Sequence, residues 1–126
     1  MSLTWTIDHD NQMMTCVAIG DVTRFDVDAM LDAMDSQGAM AYRKFFDASR
    51  GDTAISGYDM LALGWRMRSY HQTAGTMGPL ALVIPADKMG LVSRVLGMLA
   101  VARRPMKVFI DPVAAGDWIE KQPLTG

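Results

Sequence analysis

The chain has 126 residues, half of them apolar, with a formal charge of −2, twelve Lys and Arg and a single Cys. That length closes one hydrophobic core, since domains commonly run about 100–150 residues, and one domain over 4–122 is expected. The basic residues are scattered apart from Arg66/Arg68 and Arg103-Arg104, so nucleic-acid binding has no electrostatic footprint. The lone Cys16 allows no internal disulfide, which together with the lack of a charged-then-apolar leader favours a cytoplasmic location.

Thr4-Trp5-Thr6-Ile7 alternates polar with apolar residues, and Met14 to Ile19 is a second strand-forming run. Asp10-Asn11 between them tolerate turn backbone angles, so an N-terminal antiparallel hairpin is predicted. After Gly20-Asp21, Thr23 is followed three residues later by Asp26 in the spacing of a capping pair. Val27, Met30, Leu31 and Met34 then share one helical face while Asp28, Asp32 and Asp35 face away, the pattern of a surface helix packed on a sheet and ending near Gly38.

Tyr42 to Ala48 holds the next strand, and Ser49 to Thr53 reads as a polar loop. Ser56 with Asp59 is a second capping pair, opening a helix that runs to about His71. Thr73 to Gly78 is a connection, and Pro79 to Ile84 is an apolar run short enough to be a strand covered on both faces. Pro85-Ala86-Asp87 starts a helix whose stretch over 89–102 has only Ser93 and Arg94 as charged or hydroxyl-bearing residues. As a helix that stretch is about 21 Å long against about 30 Å of bilayer hydrocarbon, so no membrane span is expected. Met106 to Ile110 forms a last strand, followed by a short helix around Val113 to Lys121. The alternation predicts an α/β fold: an N-terminal antiparallel hairpin joined to a mixed, mostly parallel sheet of about five strands, with about four helices.

Open α/β sheets bind ligands beyond the carboxyl ends of their strands. Asp47, Ser49, Arg50, Asp52 and Tyr58 follow one such strand and precede the free N–H groups of a helix start, which makes them the candidate anion- or partner-binding loop. Ser56 and Asp59 serve equally well as plain helix caps. His9 and His71 lack a second ligand at metal-binding spacing, so neither a metal nor a cofactor is expected. Ser56, His71 and Asp111 come without a Gly-x-Ser-x-Gly elbow, which leaves hydrolysis as a third reading behind non-enzymatic ones. The apolar helix over 89–102 needs cover on more than one side. Its Met89, Val92, Val95, Leu96 and Leu99 are either core or the face that meets a partner protein, a second copy or a small apolar ligand. Twelve Met suit such an adaptable surface.

The hairpin, Phe46-Asp47-Ala48-Ser49, the Ser56-Gly57 helix start and the strand and helix order as far as Trp118 resemble the SpoIIAA-like, STAS/Sec14-type family of small bacterial domains. In its anti-sigma-factor antagonists an Asp-Leu-Ser leads to Ile-Asp-Ser-Ser-Gly, whose second Ser is phosphorylated. Asp47-Ala48-Ser49 is similar to the first element. Allowing one deletion places the phosphorylated position on Ser56, and the ungapped match places it on Tyr58. The resemblance implies a non-enzymatic protein-binding or regulatory domain that acts on a protein partner or on a copy of itself. Its Sec14-like side implies instead a carrier or sensor of a small apolar ligand.

Overall fold

The computed structural model describes residues 2–74, 77–88, 90, 93 and 104–123, with the side chains of 71–74 left aside. Strands β1 (Leu3–Asp8) and β2 (Met13–Asp21) form the antiparallel hairpin, turning through Gln12 at φ 50°. Along β2, Met14, Cys16 and Ala18 are buried while Met13, Thr15 and Val17 are less so, the period of two that a strand packed mainly on one side requires. Helix α1 (Arg24–Ser36) begins with a full capping box. Thr23 Oγ1 accepts from the Asp26 N–H at 3.2 Å, and the Asp26 carboxylate accepts from the Thr23 N–H at 2.9 Å.

Strand β3 (Arg43–Asp52) lies parallel to β2, α2 (Gly57–Ala74) follows, and β4 (Leu80–Val83) lies parallel to β3. All four residues of β4 are buried, as its uninterrupted apolar run predicted. A 3-10 turn (Ala86–Lys88) leads away from β4, β5 (Met106–Phe109) pairs parallel to it, and α3 (Pro112–Glu120) closes the order, capped by Asp111. The sheet order is β1-β2-β3-β4-β5, one antiparallel pair and three parallel ones, which is the predicted α/β architecture. Three α-helices fall among the described residues, where about four were expected. Of the helix expected over 89–102, only Gly90 and Ser93 are described, and Met89, Val92, Val95, Leu96 and Leu99 lie outside the described residues.

The sheet has a core on each face. On one, α1 and α2 press Leu31, Met34, Leu63 and Met67 against Met14, Cys16 and Leu82. On the other, Ala115 and Ile119 of α3 meet Ala81 and Val83, with Phe45 and Trp118 alongside. Asp28 and Asp32 of α1 do not simply face water as predicted, because Arg66 of α2 donates to both, reaching Asp28 at 2.7 Å. Arg24 adds a second clasp between the two helices, to Asp59 at 2.8 Å.

Candidate functional site

The expected binding loop is strand for most of its length. Sequence reading ends the strand at Ala48, yet β3 continues to Asp52, with Arg50, Gly51 and Asp52 opposite Ile19, Gly20 and Asp21 of β2. The register shifts between Val17 and Ile19, so Ala48 and Ser49 together oppose Ala18 in a β-bulge. Asp47 steadies the bulge, its Oδ1 accepting from the Ser49 N–H at 2.9 Å. Gly51 is required where the strands draw close, since a Cβ there would lie 2.7 Å from Ala18 Cβ. Asp47 therefore serves the backbone, and Arg50 is exposed on the extended strand.

Asp52 is tied down as well. Its carboxylate accepts from the Thr53 N–H at 2.8 Å and lies 3.3 Å from Lys88 Nζ, which also donates to the Gly51 carbonyl at 3.1 Å. The turn after β4 thus closes over the carboxyl end of β3, where the anion- or partner-binding loop was expected. The actual loop is short, Thr53 to Ser56. Ser56 is exposed and caps α2, its Oγ accepting from the Asp59 N–H at 3.1 Å. Tyr58, one helical residue in, is among the most exposed large side chains of the described residues. Asp111 spends its carboxylate on the Val113 N–H at 3.0 Å, capping α3. Of the Ser56, His71 and Asp111 triad, the side chain of His71 lies outside the described residues. Among the described residues no three His, Cys, Asp or Glu gather as metal ligands, and no helix is long and apolar enough to cross a membrane.

A second site is built from residues other than those of 89–102 that were expected to meet an apolar ligand. Between the sheet and the α1/α2 layer lies a cavity of about 120 Å³ whose walls include Met30, Met34, Met60, Met67 and Met77. Two basic residues, Lys44 of β3 and Arg104 just before β5, also line it, both near the amino-terminal ends of the parallel strands. Lys44 is buried, and its ammonium donates to the carbonyls of Met40 at 2.6 Å, Tyr42 at 2.7 Å and Met77. Burial, reinforced by the charge of Arg104, holds its pKa well below the usual lysine range. Met77 is placed by Gly78, at φ 78°, where an added Cβ would stand 2.4 Å from the Tyr42 carbonyl oxygen.

Arg104 is the less settled of the two. Its Nε and Nη1 are shut off from solvent with no hydrogen-bond partner among the described residues. Burial lowers its pKa to about 10, so the guanidinium stays charged at neutral pH. Cys16, on the same wall, has its thiol pushed up to about 12 by burial. Sequence reading passed over Lys44, although a strand's period of two sets it on one face with Phe46 and Ala48. For Arg104 the sequence carried no signal beyond an Arg pair beside a strand.

No family model and no curated protein matches the chain. Solved structures do. An uncharacterized protein of the DUF3478 family with a SpoIIAA-like fold, from Shewanella loihica PV-4, superposes with a TM-score of 0.61 at 19% identity, covering 94% of this chain and 93% of that one. The anti-sigma factor antagonist SpoIIAA in its unphosphorylated form superposes with a TM-score of 0.57 at 16% identity, covering 95% and 99%. The chain therefore has the SpoIIAA-like α/β fold that its sequence resembled.

Proposed function

We propose that this domain is a non-enzymatic protein-binding module that docks a partner protein on the exposed face of α2. One observation carries the reading. Tyr58, Leu61 and Trp65 stand three and four residues apart on one side of the helix and are 78%, 62% and 61% exposed. Phe25, 77% exposed, lies at the start of α1, which the Arg24–Asp59 ion pair holds against the start of α2. Large apolar side chains gathered on a surface mark interaction sites, and aromatic ones are the usual anchors. The fold shared with an anti-sigma factor antagonist, a protein named for acting on another protein, supports a protein as the occupant. Ser56 borders this face, and phosphorylation there would add about two negative charges beside Tyr58.

Capture from lysate on immobilised wild type, Trp65→Asp, Leu61→Asp and Ser56→Glu proteins tests the reading. A protein held by wild type, released by both α2 variants and bound again in purified form is the expected result, with weaker capture by Ser56→Glu if its partner surface is acidic. Equal capture by folded Trp65→Asp and Leu61→Asp proteins removes α2 as the contact. Light scattering over a dilution series separates a foreign partner from a second copy of this chain.

The cavity supports a second reading, that the domain carries or senses a small apolar molecule. A void lined by pliant methionine side chains accepts a guest with little rearrangement.

A further inference from the structure

A charged group inside an apolar cavity needs a counter-charge or a full set of hydrogen bonds, since an uncompensated buried ion costs several kcal/mol. Lys44 has its acceptors, three backbone carbonyls that match its three N–H bonds. Arg104 does not, because Nε and Nη1 carry the majority of the guanidinium's N–H bonds and neither has a partner among the described residues. Nor do the stretches 71–76 and 89–103 hold a carboxylate to offer it, since neither contains Asp or Glu. The acidic residue among the described cavity walls is Asp52, which is engaged by Lys88. It sits at the carboxyl end of β3, whereas Lys44 is near the amino end. The Lys44 end of the cavity is thus apolar in its walls, cationic at Arg104 and, among the described residues, without an anion.

We propose that the cavity binds a monocarboxylate with a small apolar body, the carboxylate accepting hydrogen bonds from Arg104 and the body lying among the methionines. This rests on the second reading above and names its ligand class. Lys44 has its donors spent on backbone carbonyls, which leaves Arg104 to meet the carboxylate. Size follows from volume: a cavity of about 150 Å³ holds the six carbons of benzene, so one of about 120 Å³ with pliant walls suits a body of about five to seven non-hydrogen atoms. The cavity walls include Val27 to Met34 on α1, Met60 to Met67 on α2 and Lys44 to Gly51 on β3, which favours an elongated guest over a round one.

Calorimetric titration of the full chain with octanoate and with octanol, its neutral counterpart, tests the assignment. Octanoate is expected to bind at least about tenfold more tightly, the margin of a charge-assisted hydrogen bond. Arg104→Gln, checked for folding by its thermal transition, is expected to erase that margin while leaving octanol binding in place. Octanol binding as well as or better than octanoate to wild type overturns the carboxylate assignment and leaves the cavity reading standing. Failure of both to bind overturns the assignment and the carrier reading together. The wild-type comparison decides the matter even if Arg104→Gln does not fold.

Discussion

Cys16 shows how burial turns a reactive group into an inert one. Its thiol is held at about 12, whereas an unfolded cysteine ionises near pH 8.5. Between those values the native chain keeps a proton that the unfolded chain releases, so Cys16's contribution to stability is complete below about pH 8.5 and is lost as pH rises towards 12. Lys44, whose pKa burial lowers, contributes the opposite slope up to the unfolded lysine value of about 10.4. Comparison with Cys16→Ala isolates the thiol: urea unfolding at stepped pH should show wild type losing ground to the variant above about pH 8.5. A constant difference between the two proteins would contradict the raised pKa. Lys44 was legible in principle, because the alternation of β3 aims it inward. What could not be read was its compensation, since Met40, Tyr42 and Met77 offer carbonyls from segments that only the fold brings together.

Helix starts were readable because their physics is local. Thr23 and Asp26, like Ser56 and Asp59, lie three residues apart, and a cap needs little beyond its own turn. The two caps differ in completeness. Thr23 and Asp26 satisfy each other reciprocally, whereas Asp59 turns its carboxylate to Arg24 and leaves Ser56 a single bond. Thr23→Ala should therefore cost about 1–2 kcal/mol and Ser56→Ala about 0.5–1 kcal/mol, measured by urea denaturation. Equal costs would show that the reciprocal half of the box adds nothing. The end of β3 was unreadable for the opposite reason. Ser49-Arg50-Gly51-Asp52 has a loop's composition, and it becomes strand only because a bulge opposite Ala18 lets it pair with Ile19, Gly20 and Asp21. Such a pairing is decided about thirty residues away in sequence, beyond the reach of any local pattern.

At the scale of the whole molecule, the cavity is a stability deficit retained between well-packed layers. A fully enclosed void costs about 24 cal/mol per Å³, so this partly open one of about 120 Å³ costs at most about 3 kcal/mol, still a sizeable share of a small domain's stability. Leaving Arg104 Nε and Nη1 without a partner among the described residues adds to that deficit, and a carboxylate guest relieves both terms at once by filling space and supplying an acceptor. Stability and binding should therefore move in opposite directions when the void is filled covalently. Leu82, buried on β4 and lining the cavity, is a suitable position because Phe adds volume towards the void without adding a polar group. Leu82→Phe should raise the unfolding free energy of the ligand-free protein by up to about 1 kcal/mol and weaken octanoate binding, as read by denaturation and calorimetry on the same preparation. A variant that loses stability yet binds octanoate as wild type does would mean that the ring strains the α1/α2 layer instead of entering the void. That result would sever the link between the packing deficit and the ligand.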